Sequence, residues 1–154
     1  MDKALVIERT LNAPREKIWK AWIDPVELAK WWGPRGVTNP VCEVDARVGG
    51  TMHIVMLAGK ELGEMAGQRW PMKGIIREFA PPERLVFSNS AVAEDGTVLL
   101  EGETTVLLEE APGGKTKLTL TTRAKGLAPQ APQMLEGMEA GWTQSIDKLG
   151  EYIG

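Results

Sequence analysis

The sequence predicts a single α+β domain, residues 1–154, in which a curved antiparallel sheet of about seven strands wraps on a long C-terminal helix. Three observations support this prediction. A chain of 154 residues is the length of one domain. Alternating apolar runs follow one another from about residue 41 with short turn segments between them, which favours antiparallel neighbours. In residues 132–153, apolar side chains recur three and four positions apart, the period of one face of an α-helix.

The chain begins with a predicted strand and helix. Residues 3–11 alternate between apolar and polar side chains, and residues 12–14, which include Pro14, end the strand and open the helix. The apolar side of this helix consists of Ile18, Trp19 and Trp22.

A second short helix is predicted to start at Asp24-Pro25. Asp24 can cap it, Pro25 suits its first position, and Glu27 can reach back as in a capping box. The helix carries Leu28, Trp31 and Trp32, and it is expected to end at Gly33-Pro34.

Six further strands complete the predicted sheet. They are expected at residues 41–46, 51–58, 69–79, 84–90, 98–110 and 116–125. The segments between these strands contain the turn-forming residues glycine and proline. They are residues 49–50, the glycine-rich 59–67, 80–82, 95–96 and 112–114.

Alternation indicates which side chains face the long helix. The inward sets are Met52, Ile54 and Met56; Trp70, Met72, Gly74 and Ile76; Leu85, Phe87 and Asn89; Leu100, Gly102, Thr104, Val106 and Leu108; and Thr116, Leu118, Leu120 and Thr122. A bulge would reverse any of these assignments. The resulting wall is mostly apolar and contains a few neutral polar groups, a composition typical of a small-molecule site.

The long helix combines an apolar stripe with glycines. The stripe consists of Leu135, Met138, Trp142, Ile146, Leu149 and Ile153, and we expect Trp142 to anchor the helix near its middle. Gly137 and Gly141 lie beside the stripe, and each costs about 1 kcal/mol relative to Ala. Either another backbone approaches there, or the missing side chains leave space for a ligand.

Composition narrows the function classes. A net charge of −3 gives no indication of a nucleic-acid or anionic-membrane partner, and no apolar run reaches the length of a membrane span. The start of the chain lacks the pattern of a secretory signal, and a single cysteine fits a reducing compartment, so we expect a cytoplasmic protein. One histidine and one cysteine cannot form a multi-histidine or multi-thiolate metal site, and we expect no metal and no cofactor.

Several stretches together resemble one known family. They are Ala13-Pro14, Ile18-Trp19, Asp24-Pro25, Leu28, Trp31-Trp32-Gly33-Pro34, Asp45 with Gly49-Gly50, Pro81-Pro82-Glu83-Arg84-Leu85-Val86-Phe87, and residues 137–142. Their order and spacing resemble the domain named after the activator of the heat-shock chaperone ATPase, a member of the START-like, helix-grip superfamily. The resemblance implies a seven-stranded sheet gripping the C-terminal helix, two small helices closing one end, and an internal cavity for apolar or amphipathic ligands. Two positions depart from the pattern: Asn89 stands where many relatives have an aromatic residue, and Thr122 where many have histidine.

Three functions remain open at this point, and the favoured one is binding of a small hydrophobic ligand between sheet and helix. The residues expected to line that site are Trp32, Met52, Ile54, Met72, Asn89, Thr104, Thr122, Met138, Gly141 and Trp142. The second is an enzyme of cyclase, hydrolase or dehydratase type in the same cavity, which would need an acid or base inside it. The third is an accessory protein of a chaperone or stress response that acts through its outer surface. The sequence also leaves open whether the protein forms a homodimer.

For the residues with reactive side chains, structural roles are favoured over catalytic ones. His53 is the obvious general-base candidate, but alternation places it on the outer face. Cys42 is interpreted as a small buried apolar residue, and Glu101 and Glu103 as a solvated outer pair. We therefore assign no catalytic residue.

Overall fold

The structure, a computed structural model, describes residues 2–93, 95–129 and 131–153, and its elements follow the predicted order. The strands are β1 (Asp2–Leu11), β2 (Val37–Val44), β3 (Thr51–Ala58), β4 (Arg69–Ala80), β5 (Arg84–Val92), β6 (Val98–Ala111) and β7 (Lys115–Gly126). The helices are α1 (Arg15–Ile23), α2 (Pro25–Trp31) and α3 (Ala131–Ile153), and a short 3-10 segment (Lys60–Met65) lies between β3 and β4. None of the helices in these ranges is both long enough and apolar enough to cross a membrane.

All seven strands form one antiparallel sheet in the order β1-β7-β6-β5-β4-β3-β2. Strands β2 to β7 form a meander, as their short connections predict, and β1 pairs with β7 along its whole length. The predicted α+β helix-grip class, with a curved sheet, two short helices and a long final helix, is confirmed.

The C-terminal half of α3 is packed more deeply than its N-terminal half. The helix backbone comes closest to β1 and β7 in the sheet and to α1 and α2. Ile146 and Leu149 are completely buried, whereas Trp142 is half-buried and packs against the edge of the core. Ile146 and Leu149, rather than Trp142, therefore anchor the helix most deeply.

Tryptophans fill the end of the core that α1 and α2 cover. The ring of Trp22 meets that of Trp31 edge-on at 4.6 Å between centroids, an arrangement favoured by the quadrupoles of aromatic rings. The Trp31 Nε1 donates a hydrogen bond of 3.0 Å to the carbonyl of Ala21, so its polar atom is satisfied inside the core. This packing joins the two short helices to each other and to the sheet.

Two local predictions are wrong. The second strand begins at Val37 rather than residue 41, because β2 is an edge strand that tolerates Pro40 where the register shifts between Thr38 and Val41. Glu27 does not close a capping box, although Asp24 does cap α2 by accepting a 2.9 Å hydrogen bond from the N–H of Val26. The backbone N–H of Asp24 already donates to the carbonyl of Lys20 at the end of α1, and Glu27 pairs with the Lys20 ammonium instead.

The backbone of a neighbouring strand lies very close to Gly74 on β4 and to Gly102 on β6. A Cβ atom at Gly74 would overlap the carbonyl oxygen of Ser88, and one at Gly102 would overlap that of Arg123. Only glycine fits where backbones approach this closely. The inner face of β5 is therefore flanked at this height by two positions without side chains.

Candidate functional site

The predicted site residues divide into a deep group and a shallow group. The deep group is buried within the main apolar core or beside it: Trp32, Met52, Ile54, Met72, Thr104 and Thr122. The shallow group is half-buried: Asn89, Met138, Gly141 and Trp142. The deep residues are thus part of the closed core, whereas the shallow group remains partly accessible.

Part of the inner face of the sheet is only half-covered. Met56 and Trp70 are half-buried there, although the residues that precede Met56 on its face, Met52 and Ile54, are completely buried. On the helix side, Met138 and Trp142 are one turn apart and are half-buried as well. We call this region the inner cleft and define it by the four half-buried side chains of Met56, Trp70, Met138 and Trp142, together with Asn89.

Trp32 connects the helix side of the inner cleft to the sheet side. Its ring meets the ring of Trp142 edge-on at 5.3 Å between centroids, and it lies 6.3 Å from the ring of Phe87 on β5. A Cβ atom on the next residue, Gly33, would collide with the Met56 side chain. Trp32 and Gly33 thus join Trp142 of α3 to Met56 of β3.

Three neutral polar side chains form a continuous chain across the inner wall. The Thr104 Oγ1 donates a 2.9 Å hydrogen bond to the Asn89 Oδ1, and it lies 2.9 Å from the Thr122 Oγ1. Strand register explains these contacts, because Thr104 pairs directly with Thr122 on β7 and lies diagonally from Asn89 on β5. Both threonines are fully buried, and Asn89 lies at the half-buried end of the chain.

The two helix glycines differ in exposure. A Cβ atom at either Gly137 or Gly141 would meet nothing within 4 Å, so no strand approaches the helix at these positions. Gly137 is exposed, whereas Gly141 is half-buried and lies on the same side of α3 as Met138, three residues earlier. Of the two alternatives considered for Gly141, open space agrees with these observations and a close backbone does not.

The reactive residue types lie away from the inner cleft or beneath the surface. His53 is on the outer face of β3, with its Nδ1 3.2 Å from the Glu43 carboxylate. Cys42 is half-buried, and burial followed by the charge of Glu43 raises the pKa of its thiol to about 11. Glu101 and Glu103 are exposed, as alternation predicts. In the described part of the chain, no three side chains of His, Cys, Asp or Glu come together as metal ligands would.

A basic surface pocket was not predicted from the sequence. It has a volume of about 470 Å³ and is lined by Lys30, Arg35, Gly36, Val37, Lys148, Glu151 and Tyr152. Its residues come from α2, the following loop and the last turns of α3, and only the spacing of Lys148, Glu151 and Tyr152 on one helix could have indicated part of it. A second surface pocket, of about 420 Å³, lies where Arg15 pairs with Glu83 and Glu110.

Electrostatics within the basic pocket are partly balanced. Arg35 forms an ion pair with Glu151, and this hydrogen-bonded contact raises the pKa of Arg35 and lowers that of Glu151. Lys148 donates to the carbonyls of Gly33 and Pro34 at 3.2 and 3.4 Å. Burial, and then the charge of Arg35, lower the pKa of Lys148. These contacts fasten the loop after α2 onto the end of α3.

Solved structures resemble this chain over almost its whole length. Protein CV1439 from Chromobacterium violaceum is 30% identical, with a TM-score of 0.72 over 97% of this chain and 96% of that one. The AHSA1 protein from Silicibacter pomeroyi is 27% identical, with a TM-score of 0.77 over 98% and 97%. CalU16 from Micromonospora echinospora is 25% identical, with a TM-score of 0.64 over 99% of this chain and 77% of that one. No curated protein matches the sequence.

A family model accounts for nearly all of the sequence. The model described as Activator of Hsp90 ATPase homolog 1-like protein matches residues 12–154, which contain all but the first eleven positions. The match includes every motif on which the sequence resemblance was based, and that resemblance is confirmed. The chain belongs to the AHSA1 family, the Activator of Hsp90 ATPase homolog 1-like proteins.

Proposed function

We propose that this protein binds a small apolar or amphipathic molecule in the inner cleft, between the sheet and the N-terminal half of α3. The observation that carries the proposal is the half-buried state of Met56 and Trp142, which pack against the buried core without being closed over. Their neighbours Trp70, which pairs with Met56, and Met138, one turn before Trp142, are half-buried as well. Apolar side chains left partly accessible between a curved sheet and a helix favour an apolar guest, because its binding removes more surface from water. Binding of hydrophobic ligands is also typical of the AHSA1 family and its START-like relatives.

The polar groups of the inner wall support recognition of an uncharged guest. The buried polar side chains of the described residues are all hydroxyls: Thr104, Thr116, Thr122 and Ser145. The Thr104 and Thr122 hydroxyls form a hydrogen-bonded chain that ends at Asn89, and the Asn89 amide can orient a ligand by hydrogen bonds without changing its charge. A buried charge on the ligand would lack compensation at such a wall and would cost several kcal/mol.

The experiment uses Gly141→Leu, with Gly137→Leu as its matched control. Both substitutions add the same side chain to the same helix and both raise its helix propensity by about 1 kcal/mol. Neither position has an atom within 4 Å of a Cβ, so both variants are expected to fold. Gly141 is half-buried whereas Gly137 is exposed, so only Gly141→Leu is expected to occupy the inner cleft.

The readout is titration with the neutral fluorescent probe N-phenyl-1-naphthylamine, together with thermal unfolding of each variant. We expect Gly141→Leu to weaken probe binding at least tenfold, about 1.4 kcal/mol, without loss of stability. Gly137→Leu should bind the probe as the unmodified protein does. Failure of the unmodified protein to bind the probe, or equal binding by all three proteins, would contradict the proposal.

A further inference from the structure

The hydrogen-bonded chain Asn89–Thr104–Thr122 could run in either of two directions. A threonine hydroxyl has a single proton, so Thr104 can donate to one neighbour and must accept from the other. In one direction, Thr104 donates to the Asn89 Oδ1 and accepts from Thr122. In the other, the Asn89 amide donates to Thr104, which then donates to Thr122.

Burial at the Thr122 end decides between the two directions. Thr122 is fully buried, and within the described residues Thr104 is the partner of its hydroxyl. In the second direction the proton of Thr122 would have no acceptor, which costs about 1–3 kcal/mol for a buried donor. In the first direction that proton is donated to Thr104, in agreement with the contact of 2.9 Å between Thr104 Oγ1 and Asn89 Oδ1.

The chosen direction leaves the amide nitrogen of Asn89 available. Its Oδ1 is engaged by Thr104, and none of the side-chain hydrogen bonds in the described ranges involves its Nδ2. Asn89 is half-buried on the inner face of β5, and its Nδ2 is not among the enclosed side-chain atoms that lack a partner, so this nitrogen remains accessible.

The residues directly opposite Asn89 on both neighbouring strands are glycines. Gly102 of β6 pairs with Asn89, and the register of β4 with β5, in which Lys73 pairs with Ser90 and Ile76 with Phe87, brings Gly74 opposite it on the other side. Backbone crowding excludes any larger residue at both glycines. The two paired strands therefore place no side chain directly beside the Asn89 amide.

We propose that the Asn89 Nδ2 donates a hydrogen bond to a neutral acceptor oxygen, such as a ketone or ester carbonyl, on an otherwise apolar ligand. This inference rests on the proposed function and specifies the ligand class for the same cleft. A carbonyl matches a donor pair set in an apolar wall. A carboxylate does not, because the buried polar side chains of the described residues are hydroxyls that cannot neutralise it.

The test compares two neutral fluorescent naphthalenes, one with a ketone and one without a carbonyl. These are 6-propionyl-2-(dimethylamino)naphthalene and N-phenyl-1-naphthylamine. Asn89→Leu removes the donors, and Asn89→Asp removes them while keeping an acceptor for the Thr104 hydroxyl. Ser90→Leu, on the neighbouring residue and the opposite face of β5, is the matched control.

We expect Asn89→Leu and Asn89→Asp to weaken binding of the ketone at least tenfold and to change binding of the carbonyl-free probe by less than threefold. Ser90→Leu should change neither. Thermal unfolding checks that each variant is folded, and if Asn89→Leu does not fold, Asn89→Asp provides the result.

The outcomes separate this inference from the proposed function. If the unmodified protein binds both probes and the Asn89 variants weaken both equally or neither, the acceptor inference is overturned while the proposed function stands. If the unmodified protein binds neither probe, the proposed function fails and this inference fails with it.

Discussion

At the residue scale, the surroundings of Cys42 change the pKa of its thiol. Its thiol has a pKa raised from 9.0 to about 11, chiefly because burial disfavours the charged thiolate. At pH 8 the thiolate fraction is then roughly a hundredfold smaller than for an ordinary thiol. We expect alkylation by iodoacetamide to be slower in the folded protein by about that factor, as measured by mass spectrometry. The same protein in urea, where Cys42 is the only thiol, is the control.

The same pKa predicts a pH dependence of stability. Between pH 9 and about 11 the unfolded chain loses the Cys42 proton while the folded chain keeps it, so the free energy of unfolding falls as pH rises through this window. Below pH 9 this contribution is fully present. Other groups titrate in this range, so the comparison is with Cys42→Ala, whose stability should fall less steeply in denaturant titrations. Parallel curves for the two proteins would contradict the assignment.

At the residue scale, alternation alone placed Asn89, Thr104 and Thr122 on one face of the sheet. Their hydrogen bonds could not be predicted, because a contact between threonines on two strands depends on register. Register is set by turn geometry, which the sequence of a turn only partly determines. The distinction between Gly137 and Gly141 was also beyond the sequence, since both lie beside the apolar stripe and only the packed structure shows which one is exposed.

At the scale of a single element, the two halves of α3 differ in how deeply they are packed. The C-terminal half is held by completely buried residues, while Trp142 and Met138 remain half-buried beside the inner cleft. We expect Ile146→Ala to lower the free energy of unfolding by about 2–5 kcal/mol and to leave probe affinity within threefold in the folded protein. Trp142→Ala should lower the free energy of unfolding by less than Ile146→Ala does, and it should weaken binding of the probe.

Chemical denaturation and probe titration of both variants measure this contrast. Thr143→Ala, a change at the neighbouring half-buried position, controls for shortening a side chain on the same turn. A loss of less than about 1 kcal/mol for Ile146→Ala would show that this residue does not anchor the C-terminal half of the helix.

The elements themselves were largely predictable, since long periodic stretches such as 132–153 and 98–110 appear in the structure within a residue or two of the expected bounds. The exceptions have local physical causes. Pro40 argues against a strand in sequence, yet an edge strand does not need its N–H. A capping box requires a free backbone N–H at Asp24, and the adjoining helix had already used it.

At the scale of the whole molecule, the sheet order predicts where the backbone is most protected. Strands β6 and β7 have hydrogen-bonded neighbours on both sides and many buried residues, whereas the 3-10 segment Lys60–Met65 contains no buried side chain. In hydrogen exchange followed by mass spectrometry, we expect the slowest amides in β6 and β7 and the fastest internal ones at residues 60–67. Equal protection of these two regions would contradict the packing described for the core.

The distribution of tryptophans allows binding in the inner cleft to be followed by intrinsic fluorescence. Trp19, Trp22, Trp31 and Trp32 are buried, while Trp70 and Trp142 are half-buried and both border the inner cleft. Acrylamide in solution should therefore quench a distinct, red-shifted part of the intrinsic emission that comes from these two rings. A guest in the cleft would shield them, so occupancy could be followed without a label, in protein taken directly from its host.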